Sequence, residues 1–150
     1  MPAEALFYHL ERQPLENVLP TLLERTLERG WRAVVEAGTP DRLEALNQWL
    51  WTYKPESFLG HGTKADGHSA AQPIYLTTDA DNPNGAKVRF FVDGATPHSF
   101  DAYDRLVVMF DGRDTDAVAA ARVAWKAAKA AGSTATYWQQ NAEGRWEKKA

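Results

Sequence analysis

Short apolar runs alternate along the chain with stretches whose apolar residues follow helical spacing. The runs predict six β-strands, at residues 5–10, 31–37, 73–78, 87–94, 104–110 and 134–140. The stretches between them predict three α-helices, at residues 17–30, 39–51 and 114–131. This alternation predicts an α/β fold with a mostly parallel mixed sheet flanked by helices. At 150 residues, a single domain over 1–150 is expected.

The limits of the first helix depend on Pro20, which lacks the backbone N–H that a helix interior uses. We therefore start the helix near Asn17, so that the proline falls in its first turn, and end it at Gly30. Residues 60–72 and 141–150 carry no clear pattern. We assign them no element and expect them to be the least ordered parts of the protein.

Composition narrows the class of protein and the chemistry open to it. The sequence is 44% hydrophobic and 25% charged, which is typical of soluble globular proteins. It has no apolar run long enough for a membrane span and no signal-peptide pattern, so a cytoplasmic location is expected. The absence of cysteine excludes disulfides, zinc–thiolate sites and cysteine nucleophiles.

Charge is unevenly distributed along the sequence. The net charge is −3, yet residues 117–150 contain six basic residues and two acidic ones. That local balance of about +4 predicts that an acidic partner docks on the C-terminal part.

The search for catalytic motifs finds no enzyme site and predicts no cofactor or metal. The phosphate-loop and dinucleotide-binding glycine patterns are absent. We interpret the histidines as solvated loop residues, because none has metal-ligand spacing: His9, His61, His68 and His98. Asp111 and Asp114 follow a predicted strand, where turn and capping roles are favoured. A small hydrolase or nucleotide-binding enzyme that uses these strand-end carboxylates is the alternative.

The third predicted helix has two contrasting faces at about 100° per residue. An arc of small residues is predicted to pack on the sheet: Ala117, Ala120, Val123, Ala124, Ala127, Ala128 and Ala131. The opposite arc carries Val118, Arg122, Trp125, Lys126 and Lys129. Either the cations form a solvated face while Trp125 folds over a loop, or this arc binds a ligand with an apolar end and carboxylates, such as the C-terminus of another protein.

A second unusual stretch is LNQWLWTYKPESFLGHG, at residues 46–62. Leu43, Leu46 and Leu50 set the buried arc of the second helix, and Trp51 turns away from it. Phe58 follows in an extended segment. These aromatics either form a corner tucked under the loop or anchor a permanent interface with another protein.

The sequence resembles the chi subunit family of bacterial DNA polymerase III, an accessory protein of the clamp-loader assembly. The resemblance extends over nearly the whole sequence and includes FYHL, LNQWLWTYKPESFLGHG, DRLVVMFDG and ARVAWKAAKAAG. It implies a role in DNA replication, with a nucleotide-binding-like topology that lacks both a nucleotide site and a catalytic site. Residues 79–86 and 141–150 do not align with the family.

The resemblance also implies two protein partners. Trp51 and Phe58 match residues that pack against the psi subunit of the clamp loader. Arg122, Trp125, Lys126 and Lys129 match the pocket for the acidic C-terminal tail of single-stranded DNA-binding protein. Val118 stands where the family has a further basic residue, and Trp125 where it has a tyrosine. DNA is expected to be contacted only indirectly, because the few cations of this helix neutralise few phosphates.

Overall fold

The computed structural model describes residues 4–11, 13, 15–52, 61–63, 72–79, 81–97 and 103–150, with backbone alone for 51, 52 and 61–63. Its elements in sequence order are β1 Glu4–Leu10, α1 Leu15–Glu28, β2 Ala33–Ala37, α2 Pro40–Thr52, β3 His61–Thr63, β4 Ile74–Thr77, β5 Val88–Val92, β6 Arg105–Asp111, α3 Thr115–Ala130, β7 Ala135–Gln140 and β8 Trp146–Lys148.

The strands form one eight-stranded sheet in the order β3-β4-β2-β5-β6-β1-β7-β8. All neighbouring pairs are parallel except the antiparallel pair β7–β8. Side chains alternate between the faces, so Phe7 of β1 packs with α3 while Leu10 packs with α1 and α2 on the other face. The predicted α/β fold with a mostly parallel sheet is confirmed.

The predicted start of the first helix was wrong, and a contact between helices explains how the proline is accommodated. Helix α1 begins at Leu15, so Pro20 lies inside it rather than in its first turn. The carbonyl of Glu16 therefore lacks the helical N–H that residue 20 would donate. The indole Nε1 of Trp49 in α2 donates to this oxygen at 2.7 Å. Trp49 thus joins the two helices at the point where Pro20 interrupts the backbone ladder.

Two short strands lie in segments to which the sequence analysis assigns no element. Strand β3 falls inside the predicted loop at 60–72, and β8 falls inside the tail. The tail folds back because Asn141 builds a turn. Its side chain accepts hydrogen bonds from the backbone N–H of Glu143 at 2.9 Å and of Arg145 at 3.0 Å. Gly144 supplies the positive φ of +81° that this turn requires.

The buried Arg89 holds the backbone at Asp79 and Asp81 to the sheet. This guanidinium is fully buried and donates to the carboxylate of Glu36, with Nε to Oε1 at 3.1 Å. It also donates to the carbonyl oxygens of Asp79 and Asp81, the latter at 2.7 Å, and to the Tyr103 hydroxyl at 2.9 Å. A buried charge needs such pairing, because its desolvation is otherwise uncompensated.

Replacing Arg89 with Met is expected to lower the free energy of unfolding by about 3–5 kcal/mol, because Glu36 would then lose its buried partner charge. Urea denaturation measures this loss. The double variant Arg89→Met/Glu36→Leu should be less destabilised than the single variant, since it removes both charges of the pair. A single variant within about 1 kcal/mol of the wild type would contradict this account of Arg89.

Candidate functional site

The two strand-end aspartates before α3 make turn and capping contacts. Asp114 caps the helix, because its carboxylate accepts from the backbone N–H of Asp116 at 3.0 Å and of Ala117 at 3.3 Å. Asp111 accepts from the backbone N–H of Arg113 at 2.9 Å. The favoured interpretation of these carboxylates as capping and turn residues is confirmed.

The packing face of α3 differs from the predicted one by a rotation of roughly 60° toward Trp125, counted at 100° per residue. The buried residues are Ala121, Ala124 and Ala128. Val123, which was predicted to pack on the sheet, is 69% exposed. The physical reason is the size of the indole, since turning Trp125 toward the sheet buries more apolar surface than burying Val123 would.

Trp125 stands at the edge of this packed face. Its ring meets Phe7 edge-on with the centroids 5.3 Å apart, and it meets Tyr137 at 6.2 Å. The Nζ of Lys129 lies 4.9 Å from the Trp125 ring centroid, within cation–π distance. The half-buried indole is therefore a supported apolar wall with a cation above it.

His9 belongs to this neighbourhood, so its interpretation as a solvated loop residue was wrong. It lies in β1, where its Nδ1 is hydrogen-bonded to the Tyr137 hydroxyl and its Nε2 lies 3.0 Å from Glu11 Oε1. The ring also packs against the backbone of Gly112, because a Cβ there would lie 1.7 Å from His9 Nε2. Of the other histidines, His61 lies in β3 with only its backbone described, while His68 and His98 lie outside the described residues.

Tyr137, which contacts Trp125, and His9, which contacts Tyr137, were not predicted from the sequence to lie at this site. They lie 128 positions apart and meet because β7 pairs directly with β1. A sequence pattern predicts each strand but not which strands are adjacent. The only sequence feature that indicated this contact was the aromatic residue Tyr137 on the predicted strand that follows the third helix along the chain.

Charge on the helix side of this wall is positive, while Glu11 contributes a negative charge near Tyr137. Arg122, Lys126 and Lys129 are exposed on α3, and no carboxylate of the described residues pairs with any of them. Burial raises the pKa of the Tyr137 hydroxyl, and the nearby charge of Arg122 opposes that rise. The cations therefore lie beside an aromatic wall without an internal counterion in the described part of the protein.

The structure brings together the five residues predicted on the basic arc of α3. Val118 and Trp125 are half-buried, while Arg122, Lys126 and Lys129 are exposed. We call this group the α3 surface. It spans about 100° of the helix, from Trp125 beside the sheet to Lys126 on the solvent side. Of the second predicted site, Trp51 lies at the end of α2 with only its backbone described, and Phe58 lies outside the described residues.

These features define an α/β protein in which one helix presents an aromatic and basic surface beside the sheet. No helix in the described ranges is long and apolar enough to cross a membrane. Those ranges also contain no cluster of three or more histidine or carboxylate side chains able to hold a metal ion.

Comparison with known proteins identifies the family. The sequence model described as "DNA polymerase III chi subunit, HolC" matches residues 2–136, and the chain belongs to this family. A curated relative from Rickettsia prowazekii (strain Madrid E), "Probable DNA polymerase III subunit chi", is 35% identical over 81 residues. That alignment covers 54% of this chain and 49% of the relative, so the chain spans about half the length of the curated relative that it matches. The resemblance seen in the sequence is confirmed at the level of the family.

The Arg122→Glu variant should raise the pKa of Tyr137 further, because it replaces a charge that favours the phenolate with one that disfavours it. Titration of labelled tyrosine by NMR, with Tyr137→Phe to assign the signal, measures this change. Lys126→Glu carries the same charge change one turn away and should shift this pKa less. Equal shifts in the two variants would contradict the placement of Arg122 beside Tyr137.

The raised pKa of Tyr137 also makes the stability of the fold depend on pH. The folded state favours the neutral phenol, so Tyr137 stabilises the fold below its ordinary pKa of 10.0. This contribution is lost as the pH rises from there through the raised folded value.

Proposed function

We propose that the protein is a non-catalytic adaptor of the replisome, which bridges the clamp loader to single-stranded DNA-binding protein. Membership of the chi subunit family supports an accessory role in DNA replication. The single observation that carries the finer proposal is the α3 surface, where three cations flank a supported indole and have no described counterion. The capping contacts of Asp111 and Asp114 give the enzyme alternative no support.

The α3 surface suits an acidic peptide that ends in an aromatic residue with a free carboxylate. Trp125 and Val118 supply an apolar wall for the terminal ring. Arg122, Lys126 and Lys129 project from successive turns, so they reach several carboxylates along an extended tail. The acidic C-terminal tail of single-stranded DNA-binding protein is the occupant that we propose.

The affinity of this site should be modest and sensitive to salt. Exposed ion pairs contribute about 0.2–1 kcal/mol each and are screened by ions. Specificity for the end of a polypeptide would come from the terminal ring and carboxylate acting together at one place on the helix.

The proposed contact with the psi subunit involves the end of α2. Leu46 and Leu50 of α2 are buried, as the helical pattern predicted. Trp51 and Phe58 are then the anchors that we propose for psi, because large apolar side chains dominate binding at interface centres.

Charge reversal on α3 should weaken binding of a fluorescent tail peptide. Arg122→Glu and Lys126→Glu each place like charge against the acidic tail and should cost at least about 1 kcal/mol, a loss of about fivefold in affinity. Fluorescence anisotropy at low salt measures this loss. Lys87→Glu is the matched control, because Lys87 is exposed and pairs with Asp104 away from α3.

Two changes to the peptide test the role of its end. Amidation of the C-terminus or deletion of the last residue should weaken binding strongly, whereas scrambling the upstream acids should change it little. If the wild type and Arg122→Glu bind the peptide equally well, α3 is not the docking site.

Replacing Phe58 with Ala should leave the isolated protein folded, with little change in its melting temperature, and abolish capture of the psi subunit. Truncation of an interface anchor typically costs about 2 kcal/mol or more of binding free energy. Thermal melting and a pull-down with purified psi measure the two effects. A large loss of monomer stability would show instead that Phe58 is a core residue.

A further inference from the structure

The face of the sheet opposite α3 carries aromatic residues at its β1–β7–β8 end. Tyr8 pairs in register with Trp138, and Trp138 pairs with Lys148, so the three share one face. Trp146, opposite Gln140, lies on the same face. On this side of the sheet α1 lies toward β2 and α2. The rings of Tyr8, Trp138 and Trp146 accordingly keep partial exposure.

These rings contact one another and make up an aromatic platform, and Tyr8 and Trp146 also pack against the apolar core. Trp138 stacks on Tyr8 with the centroids 6.4 Å apart and the planes 17° from parallel. Trp146 meets Tyr8 edge-on at 4.9 Å. The indole Nε1 of Trp138 donates to Thr136 Oγ1 at 2.9 Å, which holds the ring in a defined orientation.

Arginines extend the platform along the sheet toward Trp31. The guanidinium carbons of Arg29 and Arg105 each lie 5.5 Å from the Trp31 ring centroid. Burial raises the pKa of the Tyr8 hydroxyl. The positive charges of Arg105, Arg25 and Arg29 are close enough to oppose that rise. Trp31 therefore holds two guanidinium groups close to the stacked rings.

Carboxylates are sparse on this surface. Glu4 contacts it, with Oε2 at 3.4 Å from Arg105 Nη2. The side chains of Arg25 and Arg29 share a flank of α1 with Val18 and Leu22, and they are exposed. Lys148 is exposed at the β8 end of the platform. The arginines thus lie on the α1 side of the rings, and Lys148 lies on the β8 side.

We propose that this surface binds single-stranded DNA. We call it the platform surface; it comprises Tyr8, Arg25, Arg29, Trp31, Arg105, Trp138, Trp146 and Lys148. Bases stack on the exposed sides of the Trp138 and Trp146 rings, and backbone phosphates contact the arginines and Lys148. Flat aromatic faces beside a line of cations are the pattern by which proteins hold single strands without reading their sequence.

This inference goes beyond the proposed adaptor function and stands on different residues. The platform surface and the α3 surface lie on opposite faces of the sheet, so an acidic tail and a DNA strand can be bound at once. The family match ends at residue 136, before Trp138, Trp146 and Lys148. The expectation of only indirect DNA contact rested on the few cations of α3 and on the net charge of −3, whereas the platform surface carries a separate set of cations.

A labelled oligothymidylate of about ten nucleotides tests the proposal by fluorescence anisotropy, because such surfaces contact only a few nucleotides per domain. The intact protein should bind it at low salt without single-stranded DNA-binding protein present. If four cations each neutralise a phosphate, log K should fall with log salt at a slope of about 3.

Variants separate stacking from charge. Trp138→Ala should weaken binding about tenfold, whereas Trp138→Phe should stay close to the wild type because it keeps an aromatic face. Arg29→Glu should weaken binding and lower the salt slope. Arg113→Glu is the matched control: it carries the same charge change on an exposed side chain beyond the carboxyl end of β6 and should bind like the wild type.

Several results would overturn the proposal. The first is that the wild type does not bind the oligonucleotide at low salt. The second is that Arg113→Glu weakens binding as much as Arg29→Glu does. The third is that polyglutamate competes for the protein as well as unlabelled oligonucleotide does, which would assign the surface to an acidic protein segment. If Trp138→Ala fails to fold in a thermal melt, Trp138→Phe and Arg29→Glu decide the outcome. Binding of the tail peptide is measured on the same variants and should be unchanged, so failure of this proposal is distinguishable from failure of the adaptor function.

Discussion

The position of β1 between β6 and β7 is the constraint on which the other features depend. Because its side chains alternate between faces, this strand sends Phe7 and His9 to one side of the sheet and Tyr8 and Leu10 to the other. Phe7 then supports Trp125, while Tyr8 supports Trp138 and Trp146. A shift of one residue in its register would exchange the two sets and destroy both surfaces.

In helix α3, Trp125 packs against the sheet with one part of its ring and is exposed to solvent with the other. Alanines let the helix approach the sheet closely, and Trp125 closes the edge of that contact against Phe7 and Tyr137. The ring cannot rotate freely because it is held on that edge, and the remaining exposed part presents a defined shape. A ligand of the proposed kind would meet a wall that is already ordered, which would reduce the entropy cost of binding.

Two side chains of the fold satisfy backbone carbonyls of other segments. Trp49 donates to the carbonyl that Pro20 leaves unmatched in α1. Arg89 pairs with Glu36 and donates to the backbone carbonyls of Asp79 and Asp81. In each case a side chain from another element donates to a backbone carbonyl, because a carbonyl left without a hydrogen bond costs free energy when it is removed from water.

Local patterns in the sequence determined the parts of this protein that depend on neighbouring residues. The apolar runs of β1, β2, β5 and β6, the cap at Asp114 and the basic arc of α3 follow from short-range periodicity and capping chemistry. Tertiary structure alone decided the pairing of β7 with β1, the rotation of α3 toward Trp125, and the strand β8. These depend on which elements become adjacent, and burial of large rings against distant partners outweighs the local preference of any one segment.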